Sequence, residues 1–469
     1  MKENFSVLNT DSFDKRRFKE IFMMSPGLQK VRRDGTLPMF EPLLTDIWAS
    51  LYKMKPEITL GDVDGPLKVN KSLMERIMMD EGFVNYRRLT RLDDLSSAIG
   101  TMKFGEMTNQ WLAAQEDESF QRQLQELHAI QRKFQKQEQI EDGNPKLEED
   151  FPEAMTKFNE KLQQMLQNNS HGFSLALAQA MQETKQVKDG LKSLFGGCGA
   201  GSSETELKKI PLRDQISLAE KIASNKKMKE IADWAGKFKQ IAHKKQKFKQ
   251  SDSIESSGIT LGSDVESLLP IELSLYIHPL TRLDFLRRFV EGQSMQYERK
   301  GKEVLGKGPI ILCLDQSGSM QSLDTQSKGF ALALLSIAKK QRRDFCLILF
   351  SNKTQMLKFH KGKVKSSDMI YLAQTFLAGG TNFALPLDKA LNVINESRFK
   401  SADIVFVTDG EDTVPNSFIE TFNKKKKDKD FHVLTLVIGG GMETVKQFAD
   451  KVIQIKDFNE EGSFTAFEI

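Results

Sequence analysis

The chain has 469 residues, with 68 Lys and Arg against 64 Asp and Glu for a formal net charge of +4. That is enough for two or three domains, and it leaves no overall electrostatic bias toward nucleic acid. Three cysteines, Cys198, Cys313 and Cys346, are widely spaced and odd in number, which excludes a disulfide framework or clustered zinc site and fits a reducing compartment. Residues 1–18 contain no apolar signal-peptide core, and no apolar run approaches the roughly 20 residues that span a bilayer. A cytoplasmic protein without a transmembrane segment is expected.

The first half of the chain has a helical hydrophobic period. Phe120, Leu124, Leu127, Ile130 and Phe134 form one stripe, which ends before the breaker Asp142-Gly143-Asn144-Pro145. Phe151, Met155, Phe158, Leu162 and Leu166 form the next, so the two predict an antiparallel helix pair. Leu177, Met181, Thr184, Val187, Leu191 and Leu194 continue the pattern up to the Gly-rich run 196–203, which reads as a loop or linker. Helical spacing resumes from Leu212 to about Phe248. We therefore expect a mainly α-helical N-terminal region over 1–253, one subdomain or two, followed by a connecting segment over 254–307.

From Pro309 the pattern changes to short, nearly continuous apolar runs alternating with helical segments. The runs are 310–314, 345–350, 404–407 and 433–438. Strands of this kind belong to a parallel sheet covered on both faces, which predicts a doubly wound α/β domain over 308–469. A fragment starting near Gly308 is expected to fold alone. In such domains the loops leaving the carboxyl ends of the strands carry the ligand site.

Those loops hold a consistent donor set. The first run ends in Asp315-Gln316-Ser317-Gly318-Ser319, the segment before Thr381 is Gly379-Gly380, and the third run ends in Val407-Thr408-Asp409-Gly410. Carboxylate and hydroxyl oxygens suit Mg²⁺, Mn²⁺ or Ca²⁺ rather than a softer metal. Helix capping alone would explain Asp315 and the serines but not Thr381 and Asp409.

The arrangement resembles the metal-ion-dependent adhesion site (MIDAS) of von Willebrand A domains, and all five positions match. The resemblance implies that Ser317, Ser319 and Thr381 ligate the ion and that Asp315 and Asp409 ligate it directly or through water. It also implies an open coordination position filled by a carboxylate from another protein. Upstream, Gly258-Ile259-Thr260-Leu261-Gly262-Ser263-Asp264-Val265, Leu268-Leu269-Pro270-Ile271-Glu272-Leu273 and Lys307-Gly308-Pro309-Ile310 resemble the segment preceding the A domain in bacterial ViaA-type and CoxE-like proteins. That resemblance implies a partner among MoxR-family AAA+ ATPases or their clients, and a non-catalytic adaptor in protein remodelling or complex assembly.

Other features are plainer. Gly301-Lys302-Glu303-Val304-Leu305-Gly306-Lys307-Gly308 lacks the final Ser or Thr of a P-loop and precedes a strand instead of a helix. Gly439-Gly440-Gly441 reads as a tight turn, since Thr444 replaces the last glycine of a dinucleotide loop. Six lysines between Lys237 and Lys249, interleaved with Phe238, Ile241 and Phe248, form either a solvated helix face beside a core stripe or a basic surface for nucleic acid or anionic lipid. Lys424 to Lys427 read as cations at a helix end. His128, His171, His243, His278, His360 and His432 show no metal spacing. The competing function is a metal-dependent hydrolase or phosphatase, for which no base or oriented nucleophile is evident.

Overall fold

The computed structural model describes residues 6–61, 63, 65–138, 145–195, 207–252, 254–263, 265, 268–301, 308–400, 402–410, 412–459 and 461–468. The expected break at 142–144, the Gly-rich run 196–203 and the P-loop-like residues 302–307 lie outside these. So do the side chains of Ile130, Phe134 and Phe151 and those of residues 245–250. The described residues divide into two compact units, one up to Asp233 and the other from Trp234 onward.

The first unit is helical. Its central helix, Asp94–Ala113, is buried on nearly every side, with Leu95, Ile99, Met102, Phe104 and Leu112 joined by Ser97, Thr101 and Thr108. An all-round buried helix is an interior one. Its hydroxyls are satisfied locally, Thr101 donating to the Ser97 carbonyl at 2.7 Å and Thr108 to that of Phe104 at 2.8 Å. Helices Phe40–Tyr52, Ser170–Phe195 and Leu212–Ser224 pack against it. The predicted stripe on Ser170–Phe195, Leu177, Met181, Thr184, Val187, Leu191 and Leu194, is buried throughout.

Helices Glu118–Glu138 and Pro145–Asn168 form the expected pair. Lys161 meets Asp117 at 2.9 Å, and the Phe120 and Phe158 ring centroids lie 5.0 Å apart. One index rises by three as the other falls by three, which is antiparallel register. Of the described stripe residues, Phe120, Leu124, Leu127, Met155, Phe158, Leu162 and Leu166 are all buried.

After the C-terminal part of helix Lys226–Asp252, the second unit continues with a two-stranded antiparallel sheet, β1 (Ile254–Gly262) and β2 (Ser294–Gly301). Helices Pro270–Ile277 and Arg282–Val290 lie between them in sequence. Glu272, fully buried, ties this segment together: it accepts from Arg288 at 3.2 and 3.0 Å and from the Met295 backbone at 3.1 Å. The main sheet contains β3 (Ile310–Asp315), β4 (Phe345–Phe350), β5 (Thr354–Phe359), β6 (Asp403–Thr408), β7 (Val433–Ile438) and β8 (Lys451–Ile455) in spatial order β5-β4-β3-β6-β7-β8. Only β5 runs antiparallel to its neighbour. Helices Asp324–Lys340 and Ala384–Ile394 both pack on β3 and β4. The main sheet and its helices thus form the expected doubly wound α/β domain within the C-terminal unit, with a helical region before it in the chain.

The unit boundary falls 20 residues before the expected one at Ser253, inside helix Lys226–Asp252. Packing explains the difference. Phe238 is fully buried, and its ring lies 6.0 Å from Phe330, 6.4 Å from Phe458 and 6.5 Å from both Phe464 and Phe467. Helical periodicity cannot tell which core a stripe will join. A fragment starting near Gly308 would therefore lack a core ring of this unit. Phe238→Ala should destabilise the C-terminal unit by about 3–5 kcal/mol, the usual range for emptying a buried aromatic site. Chemical denaturation of the full chain, read by a probe in residues 308–469, checks this.

Candidate metal centre

The candidate site lies where three chain segments leave the carboxyl ends of adjacent parallel strands. β3 and β6 are neighbours with Leu314 opposite Val407, so Asp315 and Thr408 end their strands side by side. Burial decides which atoms remain available. Asp315 and Thr408 are fully buried and Ser317 nearly so, Thr381 and Asp409 are half-buried, and Ser319 is exposed. The site is closed below and open to solvent at one lip.

A continuous set of hydrogen bonds joins the loops. Asp315 Oδ1 accepts from the Ser317 backbone at 2.8 Å, and Ser317 Oγ lies 3.0 Å from Ser319 Oγ. Ser319 Oγ donates to Asp409 Oδ1 at 3.0 Å, while Thr408 Oγ1 donates to Asp315 Oδ2 at 2.6 Å. The Gly318 N–H donates to the Gly379 carbonyl at 3.0 Å, bringing in the loop that carries Thr381. A Cβ on Gly410 would lie 3.5 Å from Thr381 Oγ1, so the second and third loops touch. All five sequence-predicted residues are therefore gathered on one patch.

Residues outside that set hold it in place. The Asp412 carboxylate accepts from the Phe383 backbone at 2.7 Å, and Asn382 accepts from Leu385 at 3.2 Å, fixing the start of helix Ala384–Ile394 just after Thr381. Behind the first loop, Lys328 is buried with its Nζ 2.7 Å from Asp324 Oδ1. The glycine turn after β7 makes space for the third loop. Gly439 has φ +71, and a Cβ on Gly440 would sit 2.5 Å from the Asp409 carbonyl oxygen, a clash that only glycine avoids. Sequence reasoning missed Thr408, Asp412 and Gly440. Position beside Asp409 was the one signal for Thr408, and the tight-turn reading of Gly439 and Gly440 gave no hint of what they back.

The two carboxylates share an electrostatic problem. Burial raises the pKa of Asp315 above the usual carboxylate range and the nearby Asp409 adds to it, against hydrogen bonds from Thr408 and Ser317. Burial also raises Asp409. Among the described residues no Lys, Arg or His offsets the charge of either carboxylate, and no group of three or more His, Cys, Asp or Glu could hold a metal. The donors are two carboxylates and three hydroxyls, a hard oxygen set that fits a small divalent cation.

The lysines between Lys237 and Lys249 are partly engaged elsewhere. Lys237 Nζ lies 4.6 Å above the Trp234 ring and bonds Asn459, and Lys239 is buried. At the end of helix Asn416–Lys429, Lys426 bonds the Phe448 carbonyl and Asp450, both at distances of 2.8 to 2.9 Å. His360 pairs with Asp344 at 2.8 Å, away from the candidate centre. Among the described residues no helix is long and apolar enough to cross a membrane.

Residues 310–411 match the family model described as von Willebrand factor type A domain, a span that contains all five positions. An uncharacterised protein of Methanocaldococcus jannaschii is 28% identical over 463 residues, covering 97% of each chain. The regulatory protein ViaA of Proteus mirabilis is 31% identical over 217 residues, 41% of this chain and 44% of that protein. Among solved structures, a von Willebrand factor type A protein from Catenulispora acidiphila aligns over 35% of this chain and 42% of its own, at 13% identity and a TM-score of 0.29.

The raised carboxyl pKa values have a stability consequence in metal-free protein. A carboxyl that binds its proton more tightly in the folded than in the unfolded chain makes the fold lose stability as pH rises from the unfolded value through the folded one. Asp315→Asn removes that penalty while keeping an acceptor for one of its two donors. In EDTA at neutral pH the variant should melt at or above the wild-type temperature, and the difference should shrink as pH falls toward 4. A variant that melts several degrees lower at neutral pH would contradict this.

Proposed function

The C-terminal unit carries a von Willebrand factor type A domain, and from that premise we propose that the protein is a non-catalytic adaptor whose bound divalent cation grips an acidic group on a partner protein. Asp315, Ser317, Ser319, Thr381 and Asp409 would hold the ion, Mg²⁺ or Mn²⁺, with Ca²⁺ as the larger alternative. The observation that carries the reading is the pair of carboxylates without a cationic partner, linked through Ser317 and Ser319 and open to solvent on the Ser319 side. When bound, the ion supplies a Lewis-acidic position for an incoming carboxylate.

The chain's own residues do the rest. Ser317 and Ser319 present oxygens without adding negative charge, so two carboxylates at most offset the ion and an acidic ligand is still attracted. The buried floor under Asp315 keeps water from one side. The A domain is one binding surface, and the helical unit supplies a second. A MoxR-type AAA+ ATPase or its client is the partner we propose, in keeping with the regulatory name of the ViaA relative.

An enzymatic reading would draw on Ser319, whose hydroxyl donates to Asp409. A carboxylate is a weak base toward an alcohol, and among the described residues no other side chain hydrogen-bonds Asp409 to orient it as a base. Hydrolysis of p-nitrophenyl phosphate that requires Mg²⁺ and disappears in Asp315→Ala would favour it. The adaptor reading expects no turnover.

Partner binding should depend on the cation. Immobilised protein should retain a MoxR-type ATPase from the same cell in Mg²⁺ and release it in EDTA. Ser317→Ala with Ser319→Ala should weaken retention at least tenfold. Lys424→Ala with Lys425→Ala, two exposed residues, should change it less than twofold. Equal retention in EDTA and by the double serine variant would move the docking surface to the helical unit.

A further inference from the structure

We infer that Thr408 is the positioning residue of the cation site: its buried hydroxyl fixes Asp315 and the Asp409 loop relative to each other and so sets cation affinity without ligating the ion. The inference rests on reading the three loops as a cation site. Thr408 is fully buried at the end of β6. A hydroxyl has one proton and two lone pairs. The proton goes to Asp315 Oδ2 at 2.6 Å, and a lone pair takes the Gly410 N–H at 3.1 Å. One oxygen thus joins the first loop's carboxylate to the backbone of the residue after Asp409. Gly410 in turn lies against Thr381, so the same oxygen bears on all three loops.

The neighbouring strand provides a contrast. Thr435 in β7 is also fully buried, opposite Phe406, and its hydroxyl has no hydrogen-bond partner. The preference of β-branched residues for strands is enough to explain Thr435. It does not explain Thr408, whose proton and lone pair both go to metal loops. Replacing Thr408 with the equally sized Val would leave a buried carboxylate oxygen and a loop N–H without their shared partner, and both groups could then drift.

Side chains that orient ligands without touching the metal typically change affinity 10–100-fold when removed. Mn²⁺ titration calorimetry on the full chain at fixed pH should therefore find Thr408→Val weaker by about that factor. Thr408→Ser, which keeps the hydroxyl, should stay within about threefold of wild type, and Thr435→Val should match wild type. Thermal melting in EDTA controls for folding. If Thr408→Val does not fold, the comparison of Thr408→Ala with Thr408→Ser decides, with Ala weak and Ser retained. Wild-type affinity in Thr408→Val, with binding abolished in Asp315→Ala, would overturn the positioning role and leave the cation site standing. Equal losses in the Ser and Val variants would also overturn it, because the methyl group and not the hydroxyl would then matter. If the wild-type chain takes up no Mn²⁺, the cation site fails and the positioning role with it.

Discussion

Asp315 closes a strand whose six residues are all buried, and a carboxylate there costs free energy unless its oxygens find donors or a counter-charge. Among the described residues its donors include the Ser317 backbone and the Thr408 hydroxyl. They orient the group but do not neutralise it. Asp409 adds a second negative charge at the same edge, which makes the problem worse in the bare protein. A divalent cation held by the two carboxylates would resolve both at once.

The sheet makes this arrangement possible. Parallel strands end their carbonyl sides at one edge, so β3 and β6, paired in register, deliver Asp315 and Thr408 together without any long-range loop. Helices on both faces leave that edge as the place where polar groups can reach solvent. Rigidity then comes from small devices: Asp412 on the Phe383 backbone, the buried Lys328 and Asp324 pair, and the missing Cβ of Gly440 against Asp409. Each fixes a backbone segment, and the candidate donor atoms follow.

How much of this could be read in the sequence depended on how many neighbours each residue has. β3, β4, β6 and β7 are covered on both faces, so their residues are nearly all apolar and the runs stand out. β5 and β8 lie at the sheet edges and mix Gln355, Lys358, Lys451 and Gln454 with apolar residues, so neither reads as a buried strand. Asp315, Ser317, Ser319, Thr381 and Asp409 stood out as a candidate set because hard oxygen donors recur on three separate segments, which helix capping of one loop does not explain. Thr408 did not, since a threonine ending a strand needs no special reason. Phe238 looked like one more residue of a helical stripe, and only the rings of Phe330, Phe458, Phe464 and Phe467 reveal the core it belongs to.

The central claim is that three loops make one cation site. Anomalous scattering from crystals grown with Mn²⁺ tests it most directly, because the ion's position is read without reference to activity or partner. A single strong peak among Asp315, Ser317, Ser319, Thr381 and Asp409, absent from Asp315→Ala crystals, is the expected result. No peak there in well-ordered wild-type crystals at millimolar Mn²⁺, or a peak held by other residues, would contradict it.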